Sequence, residues 1–344
     1  MEQIISLLAG KTDYLVILAV FITTIATYSL TPFWIKRAAS LNITGKDIHK
    51  TSQKEIPEMG GVTVVMGFMA GLTIYISLLS FLNYNLERIV LIFAAATSVL
   101  TGTIVGMLDD ILGWKVGLKQ WQKPLLMFFA ALPLMAISFS HRFLYIPFID
   151  NIQIGITYSL IIIPMIIVGT SNGFNMIGGY NGLETGMGII LLSSLSILSF
   201  MTNAKYVGIM SLIMVFALIV FLIYNKYPAK VFPGDSMTYS VGVLFGIIAL
   251  LAHLEVAAGI MFSLYFIELI LKARGKFKKE SFSRVKEDNS LEPMYSKIYA
   301  VEHVALRILK KFKKKVYEQD VVRLLWLTQT VICIAVIILY QVVI

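Results

Sequence analysis

Two apolar stretches, residues 159–169 (SLIIIPMIIVG) and 187–200 (MGIILLSSLSILSF), flank residues 175–186, NMIGGYNGLETG. Each flank is apolar enough to lie in hydrocarbon, so the chain turns between them at a membrane surface. A plain turn needs only a few residues and no particular chemistry. This one carries Asn175, Asn181, Glu184 and several glycines, more than a turn requires. The fold and the function both depend on what those groups hold.

The rest of the chain agrees with the membrane reading. Of 344 residues, 58% are hydrophobic and 14% charged, and the mean hydropathy is +0.81. Soluble domains carry roughly a quarter charged residues. The long apolar runs predict an all-α polytopic membrane protein rather than a barrel, whose segments would be short and alternating. A single cysteine, Cys333, excludes an internal disulfide framework and a cysteine-based zinc site. Residues 1–10 lack a basic segment and do not read as a cleavable signal.

Ten transmembrane helices are expected, at about 14–35, 60–82, 89–108, 121–140, 156–171, 186–202, 206–224, 238–253, 255–271 and 321–343. The block 238–271 is too long for one helix, and His253 with Glu255 marks a hairpin inside it. One set of alternate loops holds Lys36, Arg37, Lys46, Lys50, Lys54, Lys115, Lys119, Lys123, Lys226, Lys230 and fourteen more basic residues between Lys272 and Lys315. The opposite set holds Lys11, Arg88, Arg142 and Lys205. By the positive-inside rule both termini lie outside and the basic loops are cytoplasmic. That asymmetry accounts for the net charge of +9 without nucleic acid. The chain reads as a single integral-membrane domain, 1–344, in a cell membrane. In its basic loop, 272–320, Ile298, Val301, Ala305, Ile308, Phe312 and Val316 recur at helical spacing, as an interfacial helix on anionic lipid would.

The unusual polar residues then fall on one face. Asp109 and Asp110 end the third span, Asn175, Asn181 and Glu184 sit between spans five and six, and Asp235 opens span eight. Carboxylate and amide oxygens suit Mg²⁺ (or Mn²⁺), and no His/Cys cluster suggests zinc. Lys115, Lys119 and Lys123 follow the Asp pair, and Gly178, Gly179 and Gly182 allow close backbone approach to a ligand. Hard-metal ligands, lysines and carboxylates at a membrane surface suit phosphoryl transfer to or from a lipid phosphate. Taken singly, the groups have plainer readings: Asp109–Asp110 as a helix cap, Asn175 as an interhelical hydrogen bond, Phe232 as an interfacial anchor. Lys123 reads as one more positive-inside charge, and Glu268 and His253 read as structural.

Three stretches, MLDDILGWKVGLK (107–119), NGFNMIGGYNGLETG (172–186) and YNKYPAKVFPGDSMTYSVG (224–242), resemble the signatures of the polyprenyl-phosphate N-acetylhexosamine-1-phosphate transferases. The NGLE form and the Tyr-Pro before VFPGD resemble the eukaryotic and archaeal UDP-GlcNAc:dolichyl-phosphate branch. The resemblance implies transfer of GlcNAc-1-phosphate from UDP-GlcNAc to a polyprenyl (dolichyl) phosphate, releasing UMP, as the first step of lipid-linked glycan assembly. It implies that Asn175 and Asp235 hold Mg²⁺, that Lys119 contacts the pyrophosphate, and that Asp109 and Asp110 are the catalytic acidic pair. Gly179 and Phe232 would sandwich the uracil, Asn181 would read its edge, and Glu58 in PEMGG would lie near the nucleoside. A carboxamide at 181 can donate and accept, which suits the mixed edge of uracil. Glu184 belongs to the same substrate-binding set. Arg274, Lys276, Lys278, Lys279 and Arg284 are candidates for the sugar side, and the third acidic position of the family is Gly113 here. Alternatives are the same chemistry with another UDP-N-acetylhexosamine or undecaprenyl phosphate, and, more distantly, a cation transporter. Partners are therefore the nucleotide sugar, the lipid phosphate and membrane lipids, with a homodimer left open.

Overall fold

The computed structural model describes residues 12–52, 54–82, 85–137, 143–144 and 152–343. Among them the helices are α1 (Thr12–Ser40), α2 (Gly61–Phe81), α3 (Leu86–Val116), α4 (Gln122–Ile137), α5 (Ile163–Phe174), α6 (Leu183–Met201), α7 (Lys205–Asn225), α8 (Asp235–Leu251), α9 (Glu255–Met261), α10 (Ser263–Arg274), α11 (Val301–Phe312) and α12 (Glu318–Val343). A π-helical turn, Tyr158–Ile162, leads into α5. Among the described residues six segments are long and apolar enough to cross a membrane: Tyr14–Ser40, Gly61–Phe81, Leu86–Leu112, Leu183–Met201, Lys205–Asn225 and Glu318–Val342. The pair α9 and α10, bent by 58°, passes the same test together. Gln122–Ile137, Tyr158–Phe174 and Asp235–Leu251 are apolar but shorter. The chain is a polytopic helical membrane protein. Each expected span falls on one of these segments, though residues 138–140 of the fourth lie outside the described residues.

The core forms around α8. Every residue from Ser236 to Leu251 is buried, and α8 packs against α2, α3, α5, α6 and α7. A helix apolar on all sides needs neighbours on all sides, and α8 has them. The outer helices instead keep apolar residues exposed, among them Phe21, Phe33, Ile104, Phe129, Ile334 and Ile338. Such a girdle suits lipid, where helices satisfy their own backbone groups. The hairpin expected near His253 is present: α8 ends at Leu251, α9 starts at Glu255, and His253 turns the chain at φ 54°.

The all-α expectation omits three small antiparallel hairpins: β1 (Thr44–Lys46) with β2 (Glu55–Pro57), β3 (Phe143–Leu144) with β4 (Ile152–Gln153), and β5 (Arg284–Val285) with β6 (Leu291–Glu292). Strands of two or three residues are too short to show an alternating pattern. Two of these hairpins meet, because Asn289 Oδ1 accepts the Thr51 backbone N–H at 3.0 Å and the Thr51 hydroxyl at 3.1 Å. In α11, Val301, Ala305 and Leu306 are buried while Ile308 and Phe312 are exposed. Its first half therefore docks on the protein, and its second half leaves an apolar edge uncovered.

Candidate active site

The acidic pair lies inside α3, about two turns before its end at Val116, against the start of α8. Asp110 Oδ1 accepts the backbone N–H of Asp235 at 2.7 Å, and its Oδ2 accepts that of Ser236 at 3.1 Å. Asp110 thus caps α8 from another helix, where a carboxylate also complements the positive end of the helix dipole. Gly234 makes this approach possible. Its φ is +71°, and a Cβ there would lie 2.6 Å from Asp110 Oδ2.

Asp109 faces a different partner. Its Oδ1 accepts the Leu118 N–H at 3.0 Å, and its Oδ2 pairs with Lys123 Nζ at 2.6 Å. Lys123 also reaches Asp235 Oδ2 at 3.5 Å, so one ammonium bridges two carboxylates. Lys119, expected at the pyrophosphate, is exposed, and its backbone N–H donates to Gln122 Oε1 at 2.8 Å. The lysine the fold carries into the acidic cluster is Lys123, which the sequence reading treats as a topological charge. The signal that distinguishes them is position: Lys119 precedes α4, whereas Lys123 lies in its first turn, beside the end of α3.

The polar loop between α5 and α6 is held by buried acidic side chains. Gly178 N–H donates to Glu302 Oε1 at 3.1 Å, Gly179 N–H to Glu184 Oε1 at 2.8 Å, and Asn181 N–H to Glu318 Oε1 at 2.6 Å. Three buried carboxylates from three helices hold three amides of the loop. Burial raises the pKa of Glu302 well above the ordinary carboxylate range. Gly179 is left-handed at φ +87°, and a Cβ on it would lie 2.4 Å from the Phe282 ring. Tyr180 packs against His49 with ring centroids 4.1 Å apart and planes tilted by 34°, and its hydroxyl lies 2.8 Å from Ser283 Oγ. His49 Nε2 accepts the Ser283 N–H at 3.3 Å, and burial lowers its pKa to about 4, keeping it neutral. Glu302, Glu318, His49 and Phe282 were not found by sequence reasoning. None lies in a recognisable motif, and Glu302 sits beside, not on, the apolar stripe of its helix.

Backbone pairing joins two further motifs. Phe232 N–H donates to Pro57 O at 2.8 Å, Gly60 N–H to Phe232 O at 2.9 Å, and Gly61 N–H to Pro233 O at 2.8 Å. PEMGG and VFPGD are thereby stitched side by side, which sets Glu58 next to Phe232. Burial, with a smaller contribution from the Asp110 charge, raises the pKa of Glu58.

These pieces enclose one cavity of about 760 Å³, large enough for a nucleotide. Of the expected residues, Glu58, Asp110, Asn175, Gly179, Asn181, Glu184, Phe232 and Asp235 line it, and Asp109 joins through Lys123. Phe282 and Lys46 line it as well. Arg274, Lys276 and Arg284 are not in its wall; Arg274 instead lies over the Tyr299 ring, 6.0 Å from the centroid, and Arg284 is an exposed residue of β5. Among the described residues no group of three or more His, Cys, Asp or Glu is arranged to hold a metal. Asp235 and Asn175 nonetheless present hard oxygen donors to the same cavity. Two ligands fit an ion such as Mg²⁺ that completes its shell with water and substrate phosphate.

A helical membrane bundle whose helix ends surround an acid-lined, nucleotide-sized cavity has the form of a membrane-embedded transferase. Residues 89–253 match glycosyl transferase family 4. The chain is 37% identical over 326 residues, 94% of its length and 96% of the relative's, to a Saccharolobus solfataricus protein assigned as UDP-N-acetylglucosamine–dolichyl-phosphate N-acetylglucosaminephosphotransferase. A Sulfolobus acidocaldarius protein with the same assignment is 33% identical over 313 residues, covering 90% of this chain and 92% of that one. The phospho-N-acetylmuramoyl-pentapeptide-transferase of Staphylococcus carnosus is 32% identical over 271 residues, 75% of this chain and 80% of its own. The chain belongs to glycosyl transferase family 4.

Proposed function

We propose that the protein transfers GlcNAc-1-phosphate from UDP-GlcNAc to a membrane polyprenyl phosphate of the dolichyl type, releasing UMP. The observation that carries this reading is the convergence of four separated motifs on one cavity. It is supported by the near full-length similarity to the two archaeal relatives and the names they bear.

In the reaction an oxygen of the lipid phosphate attacks the sugar-bearing phosphorus of UDP-GlcNAc. A new P–O–P linkage forms, the bond to the UMP phosphate breaks, and the electron pair leaves with UMP. Gly179, Phe232 and Asn181 hold the base and Glu58 lies by the nucleoside. Asn175 and Asp235 would hold Mg²⁺ or Mn²⁺, which when bound neutralises phosphate charge. Asp109 sits by Lys123, where the two anionic phosphates must approach, and Asp110 fixes the helix that presents Asp235. Lys123 supplies the local positive charge, and Lys119 remains available to the outer end of the pyrophosphate. Arg274, Lys276 and Arg284 serve the sugar only if their loop folds inward on binding.

The same reading includes ten crossings with both termini outside and the cavity facing the cytoplasm of a cell membrane. The ten apolar helical segments and the one-sided distribution of Lys and Arg support it. The exposed edge of α11, with Ile308 and Phe312 beside Lys310, Lys311 and Lys313–Lys315, suits contact with anionic lipid. Undecaprenyl phosphate, the alternative acceptor, is to be tested alongside. Purified protein given a panel of UDP-sugars with dolichyl or undecaprenyl phosphate should release UMP fastest with UDP-GlcNAc and dolichyl phosphate. Faster release with another pair would reassign the substrates, and none with any pair would sink the reading.

A further inference from the structure

Tyr239 lies on α8 one turn after Asp235 and is completely buried. Its hydroxyl meets no described group in a hydrogen bond of full geometry. Buried polar groups are paired in the great majority of cases, so an orphaned hydroxyl at this place needs a reason. The packing of α8 on α5 shows what it faces. A Cβ on Gly246 would lie 2.6 Å from Thr170 Oγ1, and one on Gly242 would lie 2.6 Å from Ser171 Cα and 3.1 Å from Phe174 Cβ. The two helices therefore run antiparallel in close contact. One more turn along both brings Tyr239 against Asn175, the residue that caps the end of α5. The Asn175 side chain is accordingly within hydrogen-bonding reach of the phenol oxygen.

Asn175 lines the cavity, as Asp235 does. A hard metal takes the oxygen of a carboxamide and not its NH₂, so an asparagine ligand works in only one of its two orientations. The side chain carries an acceptor at one end and a donor at the other, so its surroundings make the choice. An acceptor placed behind Nδ2 would settle it. The phenol oxygen of Tyr239 is such an acceptor, and its burial keeps solvent from competing for it.

We propose that Tyr239 is a positioning residue for the metal site: its phenol oxygen accepts a hydrogen bond from Asn175 Nδ2 and so turns Asn175 Oδ1 toward the cavity. This rests on the reading of Asn175 and Asp235 as the metal-holding pair. Tyr239 itself touches neither metal nor substrate. Partners of this kind, standing behind a ligand, typically carry about 10–100-fold in metal affinity. The first turns of α8 thus supply one ligand, Asp235, and the group that orients the other.

The test is Mn²⁺ binding to the full-length protein in detergent with UMP present, read by electron paramagnetic resonance. The wild type, Tyr239→Phe, Asn175→Asp and the double variant are compared, each with a thermal melt. Tyr239→Phe removes one oxygen and should weaken Mn²⁺ about tenfold or more. Its Tm should stay level or rise, because a buried hydroxyl without a full partner is lost. Asn175→Asp presents an oxygen in either orientation, so adding Tyr239→Phe to it should change Mn²⁺ affinity by no more than about twofold. A merely structural role for the phenol would weaken Mn²⁺ by the same factor in both backgrounds, or lower Tm alongside. Either result overturns the inference, as does wild-type Mn²⁺ affinity in Tyr239→Phe. A wild type that binds no Mn²⁺ overturns the metal-site reading, and the inference with it.

Discussion

The carboxylate of Asp110 caps the helix that begins at Asp235, its two oxygens accepting the Asp235 and Ser236 amides at 2.7 and 3.1 Å. Two acidic residues 125 positions apart are thus one unit. Asp110 places the metal-side residue, and Asp235 presents it to the cavity. Asp110→Ala removes both acceptors and should cost about 1–2 kcal/mol of stability. It should also weaken Mg²⁺-dependent UDP-GlcNAc binding along with turnover. Intact nucleotide affinity with lost turnover would instead give Asp110 a direct part in the chemistry.

Lys123 and Lys119 should separate cleanly. Lys123→Met strands Asp109 beside Asp235 without a counter-charge. Loss of one partner of a buried pair costs about 3–5 kcal/mol. A large drop in Tm and in turnover is expected. Lys119→Met, at an exposed position, should change stability by no more than about 0.5 kcal/mol. Thermal melts and initial rates of both variants check this. A stable, active Lys123→Met would remove the bridge from the account.

His49 predicts a pH dependence. Its pKa is about 4 in the folded protein against an ordinary 6.5. Between those values the unfolded chain takes up a proton that the folded one refuses, so this contribution favours unfolding as the pH falls. Stability from neutral His49 is complete above about pH 6.5 and is lost progressively toward pH 4, by at most about 3 kcal/mol. His49→Gln does not titrate there and should give a flatter Tm profile over that range. Parallel profiles would mean that other groups govern the acid limb.

Gly179→Val should abolish nucleotide binding. The left-handed backbone disfavours a β-branched residue, and the new side chain would run into Phe282. Phe282→Ala in the same background should recover expression but not affinity, since the backbone conformation is still wrong. Wild-type affinity for UDP-GlcNAc in Gly179→Val would place the base elsewhere.

What the sequence made legible follows from the range of the forces involved. The apolar segments and their order were readable because hydrophobic length is local, and the hairpin at His253 because 238–271 exceeds one span. Asp109, Asn175 and Asp235 were readable because their motifs are continuous. The Glu302, Glu318 and Asp47 contacts were not, since each joins segments more than 120 residues apart through only one or two hydrogen bonds. Lys123 was missed because charge alone cannot tell a loop lysine from one turned inward by a helix. The short β-hairpins were missed because two or three residues carry no period.

The most direct test of the account is UMP release by purified protein given UDP-GlcNAc, dolichyl phosphate and Mg²⁺, with Asp235→Ala and an EDTA-treated sample alongside. The account predicts stoichiometric UMP and GlcNAc-pyrophosphoryl-lipid from the wild type, and neither product after EDTA or from Asp235→Ala. Full activity in EDTA, or in Asp235→Ala, would contradict it.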